Sequence, residues 1–255
     1  MKMTGNTILI TGGGTGIGRA LAEQFHARGN HVIVAGRRAE PLEALARAVP
    51  GIATALLDVS DAADIARFAD SVTRDHPALN VVLHNAGIMK AEDIAADRYD
   101  LHDAEAMVAT NLLGPIRLTA ALLPHLRQQS DAAILTVSSG LAFVPLVATP
   151  TYSATKAAIH SWSQSLRSQL AATGIDVIEI APPAVATDLM PGHAENPNSM
   201  PLDAYIAETM ALLEANPQGP ENTVERVKFL RNAEREGRYD AVYGVLNGGD
   251  PDRIR

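Results

Sequence analysis

The sequence predicts an α/β fold in which helices cover both faces of a doubly wound, parallel sheet of about seven strands. Short apolar runs rich in β-branched residues alternate with longer stretches whose apolar residues recur at helical spacing. A glycine-rich turn joins the first such run to the first helical stripe, which is typical of an anion-binding turn. Because crossovers between parallel strands are right-handed, we expect the ligand site at the carboxyl ends of the strands.

The first strand and helix flank this turn. Residues 8–10 form a short buried strand, and the apolar stripe of the helix starts at Ile17. The glycines between them have the spacing G-x-x-x-G-x-G, at Gly12, Gly16 and Gly18. Glycine permits a tight turn and the close approach of a ligand, while the N–H groups of the helix N-terminus attract a pyrophosphate. A glycine-rich turn without a ligand is the alternative interpretation.

The later elements continue the alternation. Gly29 and Asn30 are expected to end the first helix, and Asp61 to cap the helix after the third strand. Further strands are predicted at residues 31–35, 52–57, 79–84, 132–137 and 176–180, with an edge strand at 240–246. Helices are predicted at 41–49, 104–126 and 151–172, in the stretch after Asp61, and as a pair within 201–236.

The composition fits one soluble domain over residues 1–255. The net charge of −8 and the lack of a basic stripe argue against nucleic acid and anionic membranes as partners. The chain has no cysteine, which excludes disulfides and thiol catalysis, and its histidines lack metal-ligand spacing, so no metal site is predicted. With no room for a signal peptide before the first strand and no apolar run of ~20 residues, we expect a cytoplasmic protein.

A tyrosine and a lysine four residues apart, Tyr152 and Lys156, follow Ser139 in the chain. Residues at this spacing share one helix face, where the ammonium is expected to lower the pKa of the phenol until it exchanges protons near neutral pH. A serine hydroxyl at a strand end could hold a carbonyl oxygen against that phenol. Such a pair also occurs on ordinary surface helices, so it gains weight only together with the glycine-rich turn.

The two motifs together resemble the short-chain dehydrogenase/reductase family, in its single-domain branch with a Rossmann-type fold. The resemblance covers about residues 5–190. The matching pieces, in family order, are TGGGTGIG from Thr11, LDV from Leu57, HNAG from His84, Asn111, Ser139, YSATK from Tyr152 and APPAVATDL from Ala181. GLAF after Ser139 and APP at 181–183 are similar to bacterial DltE-like oxidoreductases, a name that supplies no substrate.

This resemblance implies four catalytic residues. Tyr152 would be the general acid in reduction and the general base in oxidation, while Lys156 lowers its pKa and binds the nicotinamide ribose. Ser139 would orient the substrate oxygen. Asn111 would hold a proton-relaying water, with a helix bend satisfied by its side chain as the alternative. The implied cofactor contacts are Gly12, Gly14, Thr15, Gly16, Ile17, Gly18, Arg37, Arg38, Asp58, Val59, Asn85, Ala86, Gly87, Tyr152, Lys156, Pro182, Val185 and Thr187.

The end of the second strand favours NADP(H) over NAD(H). An NAD site places an acidic residue there for the ribose 2′-hydroxyl, but this chain has Gly36 followed by Arg37 and Arg38. A guanidinium grips a 2′-phosphate, and Arg37 is the better candidate. Solvated loop arginines are the alternative interpretation. Asp58, expected to contact the adenine, could otherwise be a strand-end cap.

Two positions depart from the family pattern. His84 stands where the family usually has asparagine, and we interpret it as a hydrogen-bonded histidine at a strand end rather than an extra acid or base. Pro183 stands where the family usually has glycine, so the loop after the sixth strand is stiffer and loses an N–H.

The expected substrate pocket is apolar and lacks an obvious cation, which favours a hydrophobic ketone or aldehyde, or the matching secondary alcohol. A loop and lid helices are expected over the site, in about residues 188–236. Family members commonly form dimers or tetramers through two long helices. Core packing is the alternative interpretation for several of the apolar residues. The predicted substrate contacts are Ser139, Leu141, Phe143, Val144, Tyr152 and Met190.

Three functions remain open at this stage. The first is an NADPH-dependent carbonyl reductase that works reversibly as a secondary alcohol dehydrogenase. The second is a related hydride chemistry such as sugar epimerisation, which the short chain disfavours. The third is a non-catalytic NADP(H)-sensing or scaffold protein, which the fold alone does not exclude.

Overall fold

The structure, a computed structural model, describes residues 1–190, 192 and 194–248. Its centre is a seven-stranded sheet with the order β3-β2-β1-β4-β5-β6-β7, in which all neighbours pair in parallel. This confirms the predicted doubly wound fold. The strands are β1 (Thr7–Thr11), β2 (His31–Gly36), β3 (Ala53–Leu56), β4 (Leu79–His84), β5 (Ala133–Val137), β6 (Asp176–Ile180) and β7 (Glu221–Asn222).

The helices form a layer on each face of this sheet. Their observed bounds differ from the predicted ones by at most two residues as far as residue 180. Asp61 caps α3 as predicted, because its carboxylate accepts hydrogen bonds from the N–H groups of Ala63 and Asp64. The helices are α1 (Gly16–Ala27), α2 (Ala39–Ala48), α3 (Ala62–Asp75), α4 (His102–Val108), α5 (Gly114–Leu126), α6 (Pro150–Leu170), α7 (Leu202–Ala215), α8 (Lys228–Arg231) and α9 (Tyr239–Leu246).

The strand side chains alternate between two cores. Ile8 and Ile10 of β1 pack in one core with α1, α2 and α7, whereas Leu9 packs in the other with α3, α5 and α6. Both faces of the central strands are therefore buried, which explains why their sequences are nearly continuous apolar runs.

A π-helical turn, Ala109–Leu113, joins α4 to α5 within one long helix. Among the described residues this helix, His102–Leu126, has the length and composition that a membrane crossing would require. Its inner side packs in the core with α3, as expected for the central helix of a doubly wound fold. Gly114 lets the helix lie close to the backbone of Val59, since a Cβ there would lie 2.7 Å from the Val59 carbonyl oxygen.

The C-terminal part differs from the prediction in two places. The predicted edge strand at 240–246 is wrong, because these residues form the helix α9 and bury Val242 against Val144. The predicted helix pair in 201–236 is correct only for α7, since Glu221 and Asn222 form β7 and α8 has a single turn. Moreover, α7 packs on α1 in the main core, so it is a structural layer rather than a lid.

Candidate active site

The glycine-rich turn after β1 is built from close backbone contacts. Gly12 has φ +66° and Gly16 has φ +53°, a region that side-chain-bearing residues rarely adopt. A Cβ on Gly18 would lie 2.3 Å from Nδ2 of Asn85 and 2.4 Å from the carbonyl oxygen of Gly12. The turn therefore requires glycine at these positions to bring α1 close to the ends of β1 and β4.

Asn85 acts within this turn rather than beside it. Its amide donates to the carbonyl oxygens of Thr11 and Gly12, at 3.1 and 3.2 Å. The Thr11 hydroxyl in turn accepts from the N–H groups of Asn85 and Ala86, both at 3.1 Å. The Asn85 side chain thus holds the turn in shape, and its predicted place beside a cofactor stays a prediction. Sequence reasoning missed Thr11, although its place at the end of a buried strand was a usable signal.

The N-terminus of α1 faces the open side of the turn. Thr15 is its N-cap residue, yet its side chain makes no capping hydrogen bond, and the first turn contains no acidic residue. The first N–H groups of a helix lack partners within the helix, so they remain available to an anion. Thr187, from the loop after β6, lies next to Gly16, with side-chain carbons 3.5 and 3.6 Å from the position of a Cβ there.

The other predicted cofactor residues line the same edge of the sheet. Asp58 accepts hydrogen bonds from the Ser60 amide and hydroxyl, at 2.9 and 2.6 Å, as the strand-end alternative describes. Burial tends to raise the pKa of Asp58, but these bonds and the charge of Arg37 hold it below its ordinary value. Arg37 and Arg38 are both exposed, while Val59 is buried against the long helix.

The loop after β6 is fixed at its two ends. Pro182 is buried, and its carbonyl oxygen accepts a 2.8 Å hydrogen bond from the N–H of Gly140, so the loop is tied to the segment after β5. Val185 is buried in the main core and bridges to Met200. Thr187 follows as a partly exposed residue and lies next to Gly16 of the glycine-rich turn.

Tyr152 and Ser139 meet where β5 and α6 come together. The tyrosine is 6% exposed, and burial raises its pKa to about 12, although a hydrogen bond with Ser139 lowers it in part. The predicted lowering by Lys156 does not prevail, because burial outweighs the other influences. The Lys156 ammonium lies 5.5 Å from the centre of the Tyr152 ring, and the phenol is protonated at neutral pH in this state.

Lys156 is itself buried and firmly held. Its ammonium donates a 2.8 Å hydrogen bond to the carbonyl oxygen of Val137, at the end of β5. Burial lowers the pKa of Lys156 to about 8, against the opposing influence of the Glu179 carboxylate. A Cβ on Gly87 would lie 3.7 Å from this ammonium and 3.4 Å from Oδ1 of Asn111, so both polar groups border the Gly87 backbone.

Asn111 braces three segments from within the π-helical turn. Its Oδ1 accepts from the N–H of Ile88 at 2.9 Å, and its Nδ2 donates to the Ile88 carbonyl at 2.9 Å. Nδ2 also lies 3.2 Å from the Thr155 hydroxyl on α6. The side chain thus ties the π-helical turn to the loop after β4 and to α6, and it borders the Gly87 backbone together with Lys156.

An apolar cluster surrounds the Tyr152 ring and contains two of the predicted substrate contacts, Leu141 and Met190. Phe143 does not belong to it, because its ring packs on His160 and Arg231 instead. Val144 lies outside it as well, since it is fully buried in a separate cluster with Ala233 and Val242. The members of the cluster around the ring are Ile88, Met89, Met107, Leu141, Leu146, Tyr152 and Met190.

His84 is a buried, neutral histidine. Its Nε2 lies 2.8 Å from the Thr119 hydroxyl, and burial lowers its pKa to about 3. This confirms the interpretation of a hydrogen-bonded histidine at a strand end.

A polar pair that sequence reasoning missed lies behind Lys156: Glu179 of β6 and His160 of α6. An acidic residue inside an otherwise apolar strand was the available signal.

Comparison with known sequences decides the family. The sequence pattern described as short chain dehydrogenase matches residues 6–198. The chain belongs to this family. This short chain dehydrogenase is 39% identical to a Bacillus subtilis (strain 168) protein named "Uncharacterized oxidoreductase DltE", over 251 residues that make up 97% of this chain and 98% of the relative. It is therefore an oxidoreductase of the family that the motifs indicated.

Solved structures of this family agree with the fold. A short-chain dehydrogenase from Sphingobium yanoikuyae in complex with NADPH is 26% identical, with a TM-score of 0.76 over 91% of this chain and 94% of its own. A 3-ketoacyl-(acyl-carrier-protein) reductase from Brucella melitensis, complexed with NADH, is 25% identical, with a TM-score of 0.74 over 86% and 93% of the two chains.

Proposed function

We propose that this short chain dehydrogenase is an NADPH-dependent reductase of hydrophobic ketones or aldehydes, which also oxidises the matching secondary alcohols. The observation that carries the proposal is the surroundings of Tyr152. A protonated phenol lies beside the Ser139 hydroxyl and the Lys156 ammonium, while its ring is enclosed by an apolar cluster. This combination suits a carbonyl oxygen that receives a proton and an apolar remainder that is shielded from water.

The residues at the edge of the sheet fit a nicotinamide dinucleotide. The uncapped N-terminus of α1 and the glycine-rich turn suit a pyrophosphate, because both present backbone N–H groups. Related structures are described with NADPH and with NADH, so the choice between them rests on this chain. Gly36 leaves no carboxylate to repel a 2′-phosphate, and the exposed Arg37 can pair with one.

A nicotinamide cofactor held by the glycine-rich turn would supply the hydride for the carbonyl carbon. Ser139 donates a hydrogen bond from its hydroxyl to the carbonyl oxygen and holds that oxygen near the phenol. Tyr152 then gives its proton to the oxygen as negative charge develops there. Lys156 stabilises the resulting phenolate, and Asn111 keeps the backbone around Ile88 in place beside the lysine. In alcohol oxidation the same residues act in reverse.

The test is the initial rate of NADPH and NADH oxidation with aliphatic, aryl and cyclic ketones and aldehydes, with Tyr152→Phe as the control. We expect NADPH-dependent turnover that falls by at least ~100-fold in the variant, because a positioned general acid contributes 10²–10⁴-fold. Cofactor binding without turnover on any carbonyl would contradict the reductase and favour a sensing role.

The cofactor preference has a matched pair of variants. Arg37→Ala should weaken NADPH binding by about tenfold, the effect of a charge-assisted hydrogen bond, and leave NADH binding unchanged. Arg38→Ala, the neighbouring exposed arginine, should change neither affinity as much. A wild type that prefers NADH would contradict the proposed role of Arg37.

We also propose a cytoplasmic homodimer or homotetramer. An apolar strip of α4 and the π-helical turn supports this proposal, because Leu101 is exposed and lies beside Val108 and Leu113. Sedimentation at several protein concentrations measures the assembly, and a monomer at all of them would contradict it.

A further inference from the structure

Glu179 occupies an unusual position behind the catalytic lysine. Its side chain is fully buried, and it lies between Ile178 and Ile180 as the penultimate residue of β6. Burying a carboxylate without compensation costs several kcal/mol, so natural sequences retain one there only when it is paired. The neighbours of this carboxylate therefore indicate why it is there.

His160 of α6 is the direct partner of Glu179. Its Nδ1 lies 3.0 and 2.8 Å from the two carboxylate oxygens, and its Nε2 lies 3.0 Å from the amide of Gln164. Tyr152, Lys156 and His160 follow each other at four-residue steps, so they share one face of α6. The Glu179–His160 pair thus continues the line of the catalytic residues away from the site.

A second ion pair closes the far side of this pair. Arg231 donates to both carboxylate oxygens of Glu221, at 2.8 and 2.9 Å, and its guanidinium lies 4.5 Å from the centre of the Phe143 ring. Possible metal-ligand atoms of His160, Glu179 and Glu221 lie within 4.8 Å of one another. The Arg231 guanidinium already binds both oxygens of Glu221, so it supplies the positive charge that a metal ion would otherwise bring.

The strand pairing places Glu179 close to the backbone group that holds the lysine. Glu179 pairs in register with Thr136, and the next residue of β5 is Val137, whose carbonyl oxygen binds the Lys156 ammonium. Glu179 therefore lies one residue along the β5–β6 pair from the carbonyl group that binds the Lys156 ammonium. Burial lowers the pKa of Lys156 to about 8, while the charge of Glu179 opposes this lowering.

We propose that Glu179, held by His160, is a positioning residue that keeps the buried Lys156 ammonium charged and fixed at the end of β5. The proposal rests on the proposed function for the role of Lys156 in turnover. A lysine buried without a counter-charge loses its proton more readily, and a neutral amine would stabilise the Tyr152 phenolate less. Among the described residues, the charged or titratable groups around this carboxylate are Lys156, His160 and Arg167 of α6, Glu221 of β7 and Arg231 of α8.

The protein offers a direct measurement of this effect. It has four lysines, and Lys2, Lys90 and Lys228 are exposed, so the Lys156 resonance stands apart in NMR of protein labelled at lysine 13Cε. We expect Lys156 to titrate near pH 8 in the unliganded wild type. In Glu179→Gln, which preserves shape and hydrogen bonding, the midpoint should fall by about one pH unit, the lower end of the effect of an adjacent opposite charge.

Two further variants separate charge from packing. His160→Gln replaces the imidazole with an amide that can still donate a hydrogen bond to the Glu179 carboxylate, so the Lys156 midpoint should stay at or above that of the wild type. Glu23→Gln removes an exposed carboxylate that pairs with Arg19, and it should leave the midpoint unchanged. An unchanged midpoint in Glu179→Gln, or an equal fall in either of the other two variants, would overturn the proposal. If Glu179→Gln does not fold, the His160→Gln titration remains as a test, because a fall of the Lys156 midpoint in that variant would contradict the proposal.

The activity profile gives a second readout that a purely structural role would not move. In Glu179→Gln, the alkaline limb of kcat should shift to lower pH by the same amount as the NMR midpoint, with KM for the carbonyl unchanged. A fall in kcat without a shift of this limb would contradict the proposal. If the wild type reduces no carbonyl, the proposed function fails, but the NMR titration still tests the effect of Glu179 on Lys156.

Discussion

The two sides of the active site are built in different ways. On the cofactor side, glycines and backbone groups make the surface, and the side chains of Thr11 and Asn85 hold those backbone groups in place. On the substrate side, side chains make the surface, with methionines and leucines around Tyr152 and ion pairs behind Lys156. We therefore expect the first kind of surface to bind a ligand group common to the family, and the second to meet a variable substrate.

The difference also concerns tolerance of substitution. A backbone turn has no spare volume, because a Cβ on Gly12, Gly13 or Gly18 would overlap with atoms closer than 3.0 Å. An apolar cluster lined by flexible methionines can accommodate several shapes. Substitutions on the cofactor side should therefore cause all-or-none losses, and those on the substrate side graded changes.

The largest effect is expected from Gly18→Ala. The new methyl group would overlap with both Asn85 and the Gly12 carbonyl, so we expect a loss of about 3 kcal/mol in the free energy of unfolding and no measurable NADPH binding. Gly36→Ala is the matched control, because its nearest atom would be Leu42 Cδ2 at 3.8 Å. Urea unfolding of both proteins tests the contrast, and equal stabilities would contradict it.

Two adjacent serines sharpen the comparison on the other side. Ser139→Ala should lower kcat by about 100-fold, because it removes a donor to the developing oxyanion. Ser138→Ala should leave kcat close to that of the wild type, since its buried hydroxyl has no hydrogen-bond partner among the described residues. Steady-state kinetics on the same carbonyl distinguishes them, and the reverse order would exchange their roles.

Lys156 connects the two sides, and its burial should lower stability. Its pKa is about 8 in the folded state and 10.5 without burial, so the unfolded chain binds more protons between these values and stability rises with pH there. Lys156→Met should therefore raise the free energy of unfolding at pH 7 by about 1–3 kcal/mol, despite abolishing turnover. The gain should shrink as the pH rises from 8 to 10.5. A gain independent of pH would indicate a packing effect instead.

The smallest effects are expected from substitutions that distinguish the apolar cluster around Tyr152 from the neighbouring core. Leu141→Ala should raise KM for a hydrophobic ketone and change stability little, because Leu141 is only partly buried beside Tyr152. Val144→Ala should leave KM unchanged and cost about 1–2 kcal/mol of stability, because Val144 is fully buried elsewhere. Thermal unfolding together with KM measurements tests the pair, and a KM effect at Val144 would return it to the pocket.

Sequence patterns predicted what depends on local repetition. Buried strands, helical stripes and the Asp61 cap follow from residues close together in the chain, and the glycine spacing required a turn. The role of Asn85 was not predictable in this way, because its partners lie 73 and 74 residues away. Residues 240–246 include β-branched and aromatic residues that favour a strand, but Val144 and Ala233 provide a core that favours a helix. The Glu179–His160 pair likewise depends on how β6 meets α6.

The π-helical turn at Ala109–Leu113 changes the direction in which the two halves of the long helix face. A π-helical turn contains one more residue than an α-helical turn, so it offsets the side-chain directions of the helix before and after it. The first half can therefore face α6 and the second half α3, although both halves belong to one continuous rod. Asn111 lies in this turn, and its side-chain amide holds the turn against the backbone N–H and carbonyl groups of Ile88. A deletion of one residue in this turn would restore an ordinary helix and misalign one half against its partner.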